Sequence, residues 1–255
     1  STADVLHIDD AAVGDDDSLH DRQPEPGAAV GIGCAGLIAA VAGYALGGGC
    51  EFQMHSARTV AHLESYVGLV EAGVGLLPAG GGLKELALRA SNAAGPGGDV
   101  FAELKKVFET IAMGKVSASA VEAKELGLVR KDDVVAFNAY ELLHIAKQEA
   151  LALAERGYRP PLPGRRIQVA GDVGIATFKM MLVNMLEGRF ISPHDYEIAT
   201  RIATVLCGGE VDRGSLVDEA WLLRLEREHF GALAQMPKTQ ERIAHMLKSG
   251  KPLRN

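Results

Sequence analysis

Glu51 and Glu71 are the residues whose type and setting in this sequence best suit chemistry. Both stand in apolar stretches, GGGCEFQM and VGLVEAGVGLL, which favour burial of the carboxylates. Three consecutive glycines, Gly47 to Gly49, lie directly before Cys50 and Glu51. Glycine loses more backbone freedom on folding than any other residue, so such a run implies that a bare backbone is needed there. If the run enters a helix, a glycine N–H can point at an oxygen gaining negative charge, and the positive helix end adds to that field. Two carboxylates near one polarised carbonyl would then suit an acid/base addition or a proton shuttle. Taken singly, each glutamate also suits a solvated or salt-bridged side chain.

Two phosphate-binding readings of the glycines compete with this one. GIGCAG, Gly31 to Gly36, matches the dinucleotide pattern G-x-G-x-x-G, with Glu51 further along as the acidic residue for the ribose. Its context is poor: only AAV precedes it as a strand, and Glu51 follows a glycine break rather than ending a second strand. Close packing of small residues is the better account. The Gly47–Gly49 run lacks a following G-K-[ST], which excludes a Walker-type phosphate loop.

The elements that must position these residues are an early strand region and a late helical one. VLHI, Val5 to Ile8, reads as a strand, and Leu37 to Ala42 as a short buried strand that the glycines end. A helix opens over Cys50–Ser56. Arg58–Leu63 and Ser65–Val70 read as two strands, and Gly73–Gly82 as a loop feeding a helix over Leu83–Ala90. Ser91–Asp99 is a turn, and Val100–Met113 an amphipathic helix. Ser119 can cap the next helix, with Glu122 completing a capping box and Gly127 closing it. Asn138–Arg156 is a further helix, Arg156–Arg166 a Pro-rich linker, and almost everything beyond it is helical. The pattern predicts an α/β or α+β architecture.

Composition limits the function classes. With 47% hydrophobic and 23% charged residues in 255, the chain reads as a globular protein, and its formal charge of −7 argues against a general nucleic-acid binder. Cys34, Cys50 and Cys207 show no paired spacing, so neither a disulfide framework nor a zinc site is expected, and the compartment is read as cytoplasmic. Gly27 to Cys50 carries no charge and is long enough to span a bilayer. Its acidic flanks and eight glycines argue against a span. Ser1–Pro26 is acidic where a signal peptide needs a basic region, and the Asp15–Asp17 cluster lacks the spaced ligands of a cation site. The basic C-terminal residues Lys238, Arg242, Lys248, Lys251 and Arg254 read best as a solvated helix face. Contact with anionic ligand groups or a neighbouring subunit is the other reading.

AAVAGYALGGGCEF, then YVGLVEAGVGLLPAGGGLKEL and IAMGKVSASAVEAKELGLV, together resemble the enoyl-CoA hydratase/isomerase, or crotonase, superfamily. The helical remainder, ending PKTQERIAHMLKSGKPLRN, resembles the C-terminal part of bacterial multifunctional 3-hydroxyacyl-CoA dehydrogenases that carry such a module. The resemblance runs from about Leu37 to Asn255. It implies an α/β fold with a crotonase-like β-β-α spiral core over 37–158 and a helical region over 159–255, leaving 1–36 as an unmatched acidic segment.

The resemblance also implies roles. Gly48 would give one oxyanion N–H to a thioester oxygen, while Glu51 and Glu71 fall on the two catalytic glutamates of the hydratases. The implied reaction is syn addition of water to trans-2-enoyl-CoA in fatty-acid β-oxidation. The coenzyme A thioester is then the substrate, with no permanently bound cofactor and no metal. A Δ3,Δ2-enoyl-CoA isomerase and a catalytically silent acyl-CoA-binding or assembly module are the alternatives. Family members assemble as trimers or hexamers, so a homo-oligomer or a place in a β-oxidation complex is expected. The family's opening β-β-α turns, which supply a second oxyanion N–H, have no match among the 46 residues before Gly47. On that ground the N-terminal part of the core is expected to be missing, and with it part of the oxyanion hole.

Overall fold

The computed structural model describes residues 36–255 in full and residues 5–8 and 29–32 by their backbone. The Asp15–Asp17 cluster and the middle of the GIGCAG motif lie outside the described residues. Two compact units form: residues 1–68 with 116–162, and residues 69–115 with 163–255. They are a division by contacts, of a different kind from the sequence-order segments 1–36, 37–158 and 159–255.

The first unit is built on a five-stranded sheet. Its strands are β1 (Val5–Ile8), β2 (Ala29–Ile32), β3 (Gly36–Leu46), β4 (Arg58–Gly68) and β5 (Val134–Ala136), in that spatial order. β2 and β3 are antiparallel, with Ile32 opposite Gly36, and the other neighbours run parallel. GIGCAG therefore connects two antiparallel strands instead of opening a helix, which removes the context a dinucleotide loop needs.

β3 and β4 are longer and fewer than the sequence pattern predicts. β3 runs through Gly43 to Leu46, and a register shift after Val41 places the extra residues on β4, where Ala61 pairs with Val41 and Ser65 with Gly43. Arg58–Gly68 is one strand where two were expected, and Leu69 and Val70 fall outside it. Between β3 and β4 lies helix α1 (Gly48–His55), making a parallel β-α-β unit. Ser119 caps α4 (Ala120–Glu125) by accepting the Glu122 N–H at 3.1 Å. The return bond of the expected capping box goes elsewhere: the Glu122 carboxylate accepts the N–H of Ala118 at 2.7 Å. Helix α5 (Leu142–Glu155), preceded by a 3-10 turn at Ala139–Glu141, lays Leu142, Ala146 and Ala150 against Ile38, Ala40, Val60 and Ala136. Alternate residues of β3 thus face this helix, as a pleated strand requires.

The second unit is helical. It contains α2 (Gly82–Ala94), α3 (Val100–Ala112), α6 (Gly171–Glu187), α7 (Pro193–Leu206), α8 (Glu219–Ala234) and α9 (Pro237–Ser249). A two-stranded antiparallel ribbon, β6 (Ile167–Gln168) with β7 (Leu216–Val217), interrupts the helical run that the sequence predicts. Ala87, Ile167, Val169 and Leu222 form one buried cluster. Phe178 packs against Phe101 and Phe108 with tilted rings at centroid distances of 4.8 and 4.2 Å. The fully buried Glu226 accepts the backbone N–H groups of Gly81 and Lys84 at 3.0 and 2.7 Å, placing its charge on the positive end of α2. The architecture is mixed α/β with a helical C-terminal region, as the sequence predicts.

Candidate active site

The glycine run makes the entrance to α1. β3 ends at Leu46, opposite Gly68 of β4, and the Gly47 N–H donates to the Gly68 carbonyl at 2.8 Å. Gly47 then turns the chain with φ 55° and ψ −124°, a conformation that side chains disfavour. Gly48 opens the helix, and the first intrahelical bond runs from the Glu51 N–H to the Gly47 carbonyl at 3.0 Å. The Gly48 amide, at the helix's first residue, has no carbonyl of its own helix to meet. Gly48 and Gly49 are exposed, and a Cβ built on either would meet nothing within 4 Å. A bare, positive helix end therefore faces open space.

Glu51 lies in the first turn of α1 and is 6% exposed. Gly48 and Glu51 are three positions apart, so they lie on one face of the helix. The carboxylate also sits where the helix dipole favours negative charge. The remainder of α1 is fixed from below. Gln53 donates from Nε2 to the Leu128 carbonyl at 2.9 Å, and the His55 Nδ1–H donates to the Glu51 carbonyl at 2.7 Å. Buried Asp133 accepts the N–H groups of Thr59 and Arg130, each at 2.9 Å, tying the start of β4 to the loop after α4.

Glu71 belongs to the second unit. It opens a 3-10 turn, Glu71–Val74, that ends in Gly75 at φ 85°. Gly75 N–H reaches the Ala72 carbonyl at 3.1 Å, and Leu76 N–H reaches the Glu71 carbonyl at 3.0 Å. Glu71 is half-buried as a residue, and its carboxylate oxygen Oε2 is enclosed. Gly48 and Glu51 thus share one helix, while Glu71 stands on a turn of the other unit.

The expectation of a solvated basic C-terminus is corrected at Arg242, which is 1% exposed and pairs with Asp195 at 2.8 Å. Lys238, Lys248, Lys251 and Arg254 do face solvent. Asp195 also completes a capping box at the start of α7: Ser192 Oγ accepts its N–H at 3.1 Å, and its carboxylate accepts the Ser192 N–H at 2.9 Å. Burial pushes the Asp195 carboxyl up, but the Ser192 N–H and Arg242 outweigh it and hold the pKa below its ordinary value. Next to it, burial and then the charges of Arg242 and Lys238 hold the His194 imidazole below its usual pKa. The S-P-H-D spacing of a capped helix start was visible in the sequence, but the buried partner of Asp195 was not. Burial drives the Cys207 thiol up to about 12, which leaves it an uncharged thiol and no nucleophile. Among the described residues no set of His, Cys, Asp or Glu is arranged to hold a metal, and no helix is long and apolar enough to cross a membrane.

No family model matches this sequence. The chain is 45% identical over 219 residues, 86% of its length, to the "Probable 3-hydroxyacyl-CoA dehydrogenase" of Bacillus subtilis, of which it covers 27%. It is 28% identical over 216 residues, 83% of its length, to the "Putative fatty acid oxidation complex trifunctional enzyme" of Rickettsia felis, of which it covers 26%. The chain therefore spans about a quarter of the length of the curated relatives it matches. Among solved structures it is similar to the enoyl-CoA hydratase from Bacillus halodurans, with 18% identity, TM-score 0.44, and coverage of 81% of this chain and 58% of that one. The likeness to 3-hydroxyacyl-CoA dehydrogenases that the C-terminal motif implies is met by a relative 45% identical to this chain.

Proposed function

We propose that this chain is a crotonase-like part of a longer fatty-acid oxidation protein and that it hydrates trans-2-enoyl-CoA to 3-hydroxyacyl-CoA. The observation that carries the reading is the α1 entrance. There Gly48 sits exposed at a positive helix end, with buried Glu51 one turn behind it on the same face. The 45% identity to a protein named as a 3-hydroxyacyl-CoA dehydrogenase supports the place in fatty-acid oxidation.

In this reading the thioester oxygen meets the Gly48 N–H. One glutamate takes a proton from water as its oxygen bonds to Cβ, the Cα=Cβ π pair moves to the carbonyl, and negative charge collects on the thioester oxygen. The enolate then collapses as the other glutamate helps deliver a proton to Cα. An oxyanion donor of this kind is worth about 3 kcal/mol in the transition state. Coenzyme A arrives with the substrate, and no resident cofactor is required by these steps. A homo-oligomer, or a place within a larger β-oxidation assembly, belongs to the same proposal.

Loss of enoyl-CoA absorbance on incubation tests this directly. Glu51→Gln and Glu71→Gln are each expected to slow hydration by about a hundredfold or more, and wild-type rates in both would refute the assigned roles. A 3-enoyl-CoA that is converted in place of the 2-enoyl substrate would favour the isomerase. Acyl-CoA binding without turnover would favour a silent module.

A further inference from the structure

We propose that α9 positions Glu71: Thr239 holds the carbonyl of Gly75, which ends its turn, Arg242 holds that of Ala72 within it, and both so serve as positioning residues for the proton transfer assigned to Glu71. The proposal rests on the hydration reading above.

The Glu71–Val74 turn is closed by three backbone bonds, from the N–H groups of Gly73, Gly75 and Leu76 to the carbonyls of Val70, Ala72 and Glu71 at 3.0, 3.1 and 3.0 Å. It is a single 3-10 turn with no side-chain cap and no buried residue, and an element that short is marginal alone. Among the helices that pack against it, the start of α9 bonds directly to its backbone. Fully buried Thr239 donates its hydroxyl to the Gly75 carbonyl at 2.9 Å. A Cβ on Gly75 would stand 2.9 Å from Thr239 Oγ1 and 3.0 Å from Thr239 Cα, so glycine is what permits this approach. A carbonyl can only accept, which commits the Thr239 proton to Gly75. The same oxygen therefore accepts from His194 Nε2–H, 3.0 Å away.

Three positions along α9, and so on the same face, Arg242 reaches the Ala72 carbonyl from Nη1 at 3.4 Å. Its guanidinium is itself held on other sides. Nη1 pairs with Asp195 Oδ1 at 2.8 Å, Nη2 reaches Ser192 Oγ at 3.3 Å, and Nε donates to Asn255 Oδ1 at 2.9 Å. The rigid fork of an arginine suits such a several-sided fit. Ala72 and Gly75 thus tie Glu71's turn to a helix far along the chain. A displacement of about 1 Å at a reacting group can cost about a hundredfold in rate, so this grip bears on the chemistry.

The test uses the full chain and two readouts. Thr239→Val removes the hydroxyl while nearly keeping the shape, and Thr239→Ser keeps the hydroxyl. Thr239→Val is expected to lower kcat for enoyl-CoA hydration by about tenfold to a hundredfold, with KM within about twofold. The amides of Gly73, Gly75 and Leu76 should exchange hydrogen faster in that variant, and Thr239→Ser should restore both. Should Thr239→Val not fold, Arg242→Lys keeps the charge opposite Asp195 but loses the fork, and the same outcomes apply. Unchanged exchange in the turn overturns the grip. A wild-type kcat in Thr239→Val, measured beside a Glu71→Gln chain that has lost its rate, overturns the positioning role. A wild-type chain that does not hydrate, or a Glu71→Gln chain that hydrates normally, overturns the hydration reading and this proposal with it.

Discussion

Gly47 and Gly48 are neighbours with opposite demands on their side chains. Gly47 holds φ 55° at the end of β3, where a Cβ is costly, whereas Gly48 is a residue of α1 with open space before it. Gly47→Ala should therefore destabilise by about 1–2 kcal/mol and turn the Gly48 amide away from its direction. Gly48→Ala should stay within about 0.5 kcal/mol of wild type, yet lower kcat/KM, because its methyl stands in front of the helix entrance. Thermal melts and hydration kinetics on the two variants check this pair, and equal effects of both on stability would contradict it. The sequence shows that something here needs a bare backbone. It does not show which glycine needs the unusual angle, because that depends on where β3 stops and on the bond from Gly47 to Gly68.

At the scale of elements, the second unit carries a pH dependence centred on the α7–α9 contact. Burial, then Arg242 and then Lys238 hold the folded-state pKa of His194 below its ordinary 6.5, with Asp195 and Glu197 opposing them. The unfolded chain therefore binds a proton at a higher pH than the folded one, and stability is lost as pH falls through 6.5 toward the folded value. His229 is shifted the same way by burial and Arg201, so it adds to the effect. The depressed Asp195 works in a separate window: its contribution is present above its ordinary 3.8 and is lost only as pH falls through its lowered value. The melting temperature should thus drop between about pH 8 and about pH 5.5, and His194→Gln should remove part of the drop. An identical pH dependence in that variant would contradict the assignment. The same helix pair shows why the sequence pattern does not reveal Arg242 as buried. Its neighbours Lys238 and Glu241 are exposed, which looks like a solvated face, and the inward-facing pair Thr239 and Arg242 is recognisable only once Asp195 and the Glu71 turn are packed against it. The sequence pattern divides β4 at Glu64, which is exposed and lies where the pairing with β3 shifts register, yet the strand continues through it.

For the whole molecule, local patterning makes α1, α3 and the capped α4 legible and leaves the individual helices after residue 166 undivided, while several motifs in order make the resemblance legible. Ser119 and Gly127 bracket α4 as expected, and α1 and α3 begin or end within two residues of their predicted bounds. What the linear pattern does not carry is partnership across distance. Residues 69–115 interrupt the first unit in sequence and pack with the C-terminal helices, so Glu51 and Glu71, close in the chain, are supported by different sets of neighbours. If these residues add water to a 2-enoyl thioester, mass analysis of the product formed in oxygen-labelled water will show it. The expected product is a 3-hydroxyacyl-CoA heavier than its precursor by one labelled water, formed far more slowly when Glu51 or Glu71 is changed to glutamine. Unaltered enoyl-CoA, or an isomer carrying no label, would contradict it.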